Sequence, residues 1–156
     1  MSDLRWRVAV GSDEAGFDYK ALIVGDLERD ERVVEVIDVG VHNIGEVEPY
    51  PDVAHRAAEL VAGNVVDRAI LVCGTGIGMA IAANQVRGVR ATPAHDSYSC
   101  ERSVLSNDCQ VLTLGQRVIG AELARRLVRE WLGYRFDPAS PSYAKVQLIE
   151  AFENVR

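Results

Sequence analysis

Residues 69–83, Ala69-Ile-Leu-Val-Cys-Gly-Thr-Gly-Ile-Gly-Met-Ala-Ile-Ala-Ala83, contain a strand, a glycine turn and the start of a helix in succession. The first five residues are apolar, as expected of a parallel strand that helices cover on both faces. The turn at 74–78 contains three glycines, which let the backbone bend sharply and approach a ligand closely. The stretch therefore predicts a β-strand followed directly by an α-helix, which is the repeating unit of an α/β sheet.

Strand and helix patterns alternate along the rest of the chain. They predict strands at 6–12, 33–38, 69–73, 88–92 and 109–114. Predicted helices cover 18–29, 53–63, 77–86, 97–105, 118–132 and 143–155, with Asp52 capping the second helix and Gly133 closing the fifth. Residues 40–51 are predicted to be a loop. The alternation predicts an α/β fold, a Rossmann-like three-layer sandwich around a five-stranded parallel sheet, with residues 1–156 as one domain.

Composition and charge limit the classes of function open to the chain. Of its 156 residues, 48% are apolar and 26% are charged, which is ordinary for a globular protein. The net charge of −6 argues against nucleic acid or an anionic membrane as the main partner, and no apolar run approaches the roughly 18 residues of a membrane span. The three cysteines, Cys73, Cys100 and Cys109, match no zinc spacing, and their odd number fits a reducing cytoplasm. We therefore expect a cytoplasmic protein without a metal site.

Cys73 stands where the third strand meets the glycine turn. The following helix presents backbone N–H groups there, which favours the thiolate form of a cysteine. A thiolate beside amide donors removes a carbon-bound proton while the amides stabilise an enolate oxygen. The alternative is that Cys73 is a small packing residue at the end of a core strand. The glycine spacing is not Gly-x-Gly-x-x-Gly and no Gly-Lys-Ser/Thr follows, so a dinucleotide or Walker-type site is not supported.

Other polar residues also suit a ligand site. Asp13, after the first strand, is suited to bind substrate hydroxyls or move a proton, and equally to cap the helix behind it. His95 is either a polar site residue or a loop residue beside a helix cap. Arg90 and Arg117 each either bind an anion or remain solvated surface charges. Because ligands of parallel sheets bind beyond the carboxyl ends of the strands, we expect Asp13, Cys73 and the loop around His95 to converge.

Several motifs occur in an order that is itself informative. They are Gly11-Ser-Asp-Glu-Ala-Gly16, Tyr50-Pro-Asp52, Ile70-Leu-Val-Cys-Gly-Thr-Gly-Ile-Gly78, Ile81-Ala-Ala-Asn84, Gly88-Val-Arg-Ala91, Ser106-Asn-Asp108 and Gly115-Gln-Arg-Val-Ile-Gly120. Together they resemble the ribose-5-phosphate isomerase B and galactose-6-phosphate isomerase family, over nearly the whole chain. The resemblance implies an aldose–ketose isomerase that needs no cofactor and acts on an open-chain phosphosugar.

The resemblance also implies roles for individual residues. The cysteine matching Cys73 is the base that moves a proton between C1 and C2 through a cis-enediolate, and the threonine matching Thr75 assists at the enediolate oxygen. The loop matching Gly74, Gly76, Ile77 and Gly78 supplies amides that stabilise the enediolate oxygen. Asp13, Tyr50 and Asn107 match residues that contact the substrate. The family forms homodimers or homotetramers, with each site at a subunit interface.

The chain departs from the family pattern at three places. It has Glu14 where the family has a histidine after the aspartate. It has Ser106 where the family often has a histidine that opens the furanose ring. In the C-terminal arm, Pro141 and Lys145 stand near two arginines that bind phosphate in the family. Lys145 is therefore expected among the substrate-binding residues, and His95 is expected to replace a lost polar group.

These departures suggest a particular substrate. A tetrose 4-phosphate cannot close a furanose ring, because its C4 hydroxyl is esterified, so its isomerase needs no ring-opening acid or base. Residues 94–107 also resemble the branch that interconverts D-erythrulose 4-phosphate and D-erythrose 4-phosphate in erythritol catabolism. We predict this substrate pair. The alternatives are the pentose pair, ribose 5-phosphate and ribulose 5-phosphate, and an inactive module that only binds a phosphosugar.

Overall fold

The computed structural model describes residues 5–155, in which five parallel strands form one sheet with the order β2-β1-β3-β5-β4. The strands are β1 (Trp6–Ser12), β2 (Val33–Asp38), β3 (Arg68–Cys73), β4 (Ala91–Pro93) and β5 (Val111–Gly115). The helices are α1 (Phe17–Glu28), α2 (Tyr50–Ala62), α3 (Ile77–Ala83), α4 (Ser97–Leu105), α5 (Ala121–Trp131) and α6 (Tyr143–Glu153), and a short 3₁₀ helix (Glu14–Gly16) follows β1.

Helices cover both faces of the sheet. On β3, Leu71 and Cys73 point to a core shared with α2 and α3, whereas Ile70 and Val72 point to a second core shared with α1, α4 and α5. This alternation follows from the two-residue period of a strand, and it explains why every residue of β3 is buried. The predicted three-layer sandwich with a five-stranded parallel sheet is confirmed.

The order of the strands places a crevice at the carboxyl ends of β1 and β3. The chain passes from β1 to β2 on one side, and then returns to β3 on the other side of β1. Ser12 at the end of β1 lies opposite Val72 in the register of β3. Ligands of such sheets bind where the strand order reverses in this way.

Some element boundaries differ from those predicted. Helix α2 begins at Tyr50 rather than residue 53, because Pro51 is tolerated in a first helical turn, and Asp52 lies within that turn instead of capping it. Helix α3 ends at Ala83 rather than residue 86. There the side chain of Asn84 accepts a hydrogen bond from the Ala91 N–H and donates one to the Ala91 carbonyl, both at 2.8 Å. This pairing ties the end of α3 to the start of β4.

Other boundaries of strands and helices differ from the predicted ones by a few residues. Strand β4 starts at Ala91 instead of residue 88, and β5 starts at Val111 instead of residue 109. Helix α5 starts at Ala121 instead of residue 118, and α6 ends at Glu153 instead of residue 155. None of the helices within residues 5–155 combines the length and apolar character needed to cross a lipid bilayer.

Candidate active site

Cys73 is the last residue of β3 and only 5% exposed. Its Sγ atom accepts a hydrogen bond from the Gly76 N–H at 3.1 Å. The thiol therefore lies against the backbone of the turn that follows it, as the order of strand, glycines and helix predicted.

The turn has its shape because Gly76 adopts φ +80°, which L side chains rarely adopt. A Cβ on Gly76 would lie 3.0 Å from the carbonyl carbon of Leu114 in β5. The Thr113 hydroxyl donates a hydrogen bond to the Gly76 carbonyl at 2.7 Å, which holds the turn against β5. Only glycine fits this position without strain.

The turn carries unpaired amide donors next to the thiol. The Ile77 N–H donates to Thr75 Oγ1 at 3.2 Å, so the threonine side chain folds back over the turn. Within residues 5–155, the Thr75 and Gly78 N–H groups donate to no other group. Amides arranged in this way stabilise an oxygen that gains negative charge.

Asp13 caps the 3₁₀ helix behind β1 and lies in the same crevice. Its Oδ1 atom accepts hydrogen bonds from the N–H groups of Ala15 at 3.0 Å and Gly16 at 3.1 Å. Burial, and then the charge of Glu14, raise the pKa of the Asp13 carboxyl, while the two amides and Arg117 oppose that shift. Its Oδ2 atom accepts no hydrogen bond from the described residues, so it is available to a ligand.

Tyr50 packs against the first turn of α3. Its Cε2 atom lies 2.6 Å, and its hydroxyl 3.1 Å, from the position that a Cβ on Gly78 would occupy. Because Tyr50 opens α2 and Gly78 belongs to α3, this contact places the tyrosine beside the Cys73 turn. Tyr50 is 42% exposed and so is accessible to a ligand.

His95 approaches the turn from the end of β4. Its Nε2 atom accepts a hydrogen bond from the Gly115 N–H at 2.8 Å, which requires a neutral imidazole with the proton on Nδ1. Gly115 lies opposite Cys73 in the sheet register and packs against Thr75. Burial lowers the pKa of His95, and the charge of Asp96 only partly offsets this. The loops that carry Asp13, Cys73 and His95 thus share one edge of the sheet.

The two arginines considered as anion ligands have different surroundings. Arg117 is exposed, and its Nη1 atom lies 3.3 Å from the position of a Cβ on Gly74. It provides a positive charge at the edge of the Cys73 turn. Arg90 is buried and makes ion pairs with Asp108 and Glu150, both at 3.1 Å, so its charge is already compensated.

Two predicted site residues lie away from Cys73. Asn107 follows α4 and precedes β5, at the amino edge of the sheet, whereas Cys73 is at the carboxyl edge. Asn107 lines a cavity of about 520 Å³ together with Asn84, Arg90, Thr92, Ser99 and Arg102, which we name the Arg102 cavity. Lys145 is exposed on α6, one helical turn before Ile149, which also lines this cavity.

Arg102 is the cavity residue that sequence reasoning overlooked. Its spacing of four residues from Ser106 puts both side chains on one face of α4, which was the one available signal. Among the described residues, no group of three or more His, Cys, Asp and Glu side chains is arranged to hold a metal ion.

Comparison with known proteins gives consistent matches along the chain. The family model described as Ribose/Galactose Isomerase matches residues 8–149. D-erythrulose-4-phosphate isomerase 2 of Mycolicibacterium smegmatis is 57% identical over 94% of this chain and 97% of its own length. Ribose-5-phosphate isomerase B of Escherichia coli is 43% identical over 96% and 98%. The solved structure of ribose-5-phosphate isomerase B from Clostridium thermocellum matches with a TM-score of 0.89 at 38% identity, over 95% of this chain and 97% of that one.

Proposed function

Since the chain belongs to the ribose/galactose isomerase family, we propose that it is an aldose–ketose isomerase that needs no cofactor and acts on an open-chain phosphosugar. The observation that carries this proposal is the Cys73 thiol, which lies beside the unpaired amides of Thr75 and Gly78. A binding site alone has no need of a thiol at that point. A proton-transfer site needs both a base and a group that stabilises the charge left behind.

The reaction moves one carbon-bound proton and one hydroxyl proton. From the ketose, the Cys73 thiolate removes a proton from C1, and the C2 carbonyl oxygen gains the negative charge of an enediolate. The turn amides stabilise that oxygen, with the Thr75 hydroxyl beside them. The proton on O1 passes to O2, a transfer that we assign to Asp13, whose raised pKa suits a carboxyl that takes up and releases a proton. Cys73 then returns its proton to C2 as the C1 carbonyl forms.

We propose D-erythrulose 4-phosphate and D-erythrose 4-phosphate as the substrate pair. A relative of that name is 57% identical to this chain. Ser106 supplies no imidazole next to Asn107, and its hydroxyl already accepts two hydrogen bonds from Arg102, so no ring-opening acid or base is available there. The pentose pair is the alternative, because ribose-5-phosphate isomerase B of Escherichia coli is 43% identical.

We also propose that each site is completed by a second copy of the chain. Ile77 and Ile81 lie four residues apart on one face of α3 and are 55% and 60% exposed, directly beside the Cys73 turn. If the two-fold axis that pairs these faces runs perpendicular to α3, the helix lies antiparallel to its copy. The start of one α3, next to Cys73, then faces the end of the other, where Asn84 lines the Arg102 cavity. This arrangement joins Asn107 of one copy to Cys73 of the other.

The free, buried thiols of Cys100 and Cys109 fit a reducing compartment. We propose that the enzyme acts in the cytoplasm, in the breakdown of erythritol or a related tetritol. Cell fractionation with an antibody against the chain tests the location. Recovery of the protein outside the cytoplasmic fraction contradicts it.

Kinetics of the wild type and of Cys73→Ser test the proposed activity. We expect kcat/KM on D-erythrulose 4-phosphate to exceed that on ribulose 5-phosphate, and Cys73→Ser to lower kcat by about 100- to 10,000-fold while the phosphosugar still binds. Cys100→Ser is the matched control, because that thiol is buried among core residues away from the turn. If the wild type prefers ribulose 5-phosphate, the substrate pair is the pentose pair and not the tetrose pair. Binding without turnover in the wild type identifies an inactive module.

A further inference from the structure

Arg102 is held in a fixed position on the wall of the Arg102 cavity. Its Nε and Nη2 atoms donate hydrogen bonds to Ser106 Oγ at 2.8 and 2.6 Å. The side chain is 39% exposed, so the guanidinium is anchored and still accessible to a ligand. Its Nη1 atom faces only a weak ion pair, with Glu101 at 4.0 Å. Two donors of the planar group are therefore fixed by the protein, which orients the others.

The cavity has an excess of positive charge and several neutral hydrogen-bonding groups. Arg90 is compensated by Asp108 and Glu150, whereas Arg102 has no carboxylate closer than that of Glu101 among the described residues. Asn107, Thr92 and Ser99 add an amide and two hydroxyl groups to the lining. A guanidinium surrounded by neutral donors is the arrangement that binds a phosphate group.

We propose that Arg102 binds the phosphate of the substrate, with Ser106 as its positioning residue, in the site that two copies of the chain form together. This inference rests on the proposed isomerase function. The pairing of α3 faces brings the Arg102 cavity of one copy towards the Cys73 turn of the other, so the reacting carbons lie at the thiol and the phosphate lies at Arg102. Arg117 lies at the edge of the Cys73 turn, beside Gly74, and adds a positive charge there.

The position of Ser106 links this phosphate ligand to the choice of sugar. The family often has a ring-opening histidine at this place, and an imidazole has no hydroxyl to accept both Arg102 donors. Serine accepts both within one turn of α4. An enzyme for a sugar that forms no ring can therefore use this position to anchor a phosphate ligand.

Steady-state kinetics and phosphate inhibition of four variants test the proposal. We expect Arg102→Gln to raise KM for D-erythrulose 4-phosphate and Ki for inorganic phosphate by about 10- to 100-fold, because a charge-assisted hydrogen bond to the phosphate is lost. The change in kcat is expected to be smaller. Arg102→Lys keeps the positive charge, so we expect its KM to lie between that of the wild type and that of Arg102→Gln. Ser106→Ala gives a smaller increase in KM in the same direction. Arg29→Gln removes one positive charge from an arginine whose side chain is 73% exposed, and is expected to leave both constants unchanged.

The outcomes separate this inference from the proposed function. If the wild type is active but Arg102→Gln and Arg102→Lys leave KM and Ki for phosphate unchanged, Arg102 does not bind the phosphate. The same conclusion follows if both variants lower only kcat or only the melting temperature. If the wild type turns over no phosphosugar, the isomerase function fails, whatever Arg102 does. Phosphate that raises the melting temperature of the wild type but not of Arg102→Gln supports the site independently of turnover.

Discussion

At the end of β1, the carboxylate of Asp13 serves the fold and the crevice at the same time. Oδ1 satisfies two amides of the 3₁₀ helix, and Oδ2 is left for a ligand. The capping role and the substrate role considered for this residue therefore do not exclude each other. A substitution that removes the carboxylate is expected to damage both, so a loss of activity in Asp13→Ala must be read together with its melting temperature.

His95 makes stability depend on pH. Burial lowers its pKa in the folded protein, so below the ordinary value of about 6.5 the unfolded chain binds more protons than the folded one. Stability contributed by neutral His95 is thus present above about 6.5 and is lost as the pH falls from there to the folded pKa. Protonation also removes the Nε2 lone pair that accepts the Gly115 hydrogen bond.

We expect His95→Gln, which retains an acceptor but does not titrate, to lose part of this acid sensitivity. Urea unfolding at pH 5.5 and pH 8 measures it. His55→Gln is the matched control, because the His55 side chain is 60% exposed on α2. An equal pH dependence of unfolding in the wild type and in His95→Gln would rule out the role of this imidazole.

A buried hydroxyl offers a separate stability prediction. Ser12 is fully buried at the end of β1, and its Oγ atom makes no hydrogen bond with residues 5–155. An unpaired buried hydroxyl costs about 1–3 kcal/mol. We expect Ser12→Ala to raise the free energy of unfolding, as measured with urea, and a decrease would show that the hydroxyl is paired in solution.

At the scale of elements, the β3–turn–α3 unit depends on one glycine. Gly76→Ala adds a Cβ at φ +80° and 3.0 Å from Leu114, so we expect a loss of about 1–2 kcal/mol of stability from the left-handed backbone alone, and a large loss of kcat from the displaced amides. Gly88→Ala is the control, because Gly88 has φ +86° with no atom within 4 Å of an added Cβ. Equal losses of activity in both variants would show that activity does not depend on the conformation of the Cys73 turn in particular.

The local sequence pattern predicted most of the β3–turn–α3 unit. The helix boundaries that it did not predict depend on the surrounding structure. The apolar run before Cys73 and the glycines after it are contiguous, so the strand, the turn and the start of the helix were predicted where they occur. The end of α3 was missed because it depends on Asn84 pairing with Ala91, on another element. The start of α2 was missed because Pro51 is typical of a loop as well as of a first helical turn.

Across the whole molecule, the candidate site was predicted only in part. Asp13, Cys73 and His95 were expected at one edge because parallel strands bring their carboxyl ends together. Asn107 and Lys145 lie elsewhere on the chain, and no periodicity in one sequence shows which surfaces meet in an assembly. Arg102 was missed for the same reason, since its cavity is formed by β4, α4 and α6 together.

The proposed pairing of α3 faces predicts the effect of a charge on assembly. We expect Ile81→Lys to convert a dimer to a monomer in light scattering and to abolish most activity, because a charge is costly to bury in an apolar contact. Val34→Lys, at a residue of β2 that is 52% exposed, is the matched control. A dimer that persists in Ile81→Lys contradicts this interface.

Hybrid dimers test whether the site is shared. Co-expressed Cys73→Ser and Arg102→Gln chains form hybrids in which both substitutions fall on one site and the other site is intact. With random pairing, and with the substrate well below KM so that Arg102→Gln homodimers contribute little, we expect about a quarter of wild-type activity from the mixture. Activity no greater than that of the separate variants would place Arg102 and Cys73 of the same copy in one site.

The short edge strand β4 has a consequence for how copies of this chain meet. It has only three residues and ends at Pro93, and proline lacks the N–H that a neighbouring strand would need. An edge of this kind offers little template for another chain to add itself strand by strand, which is the usual first step of sheet aggregation. At this edge of the sheet, strand-by-strand addition of further copies is therefore disfavoured.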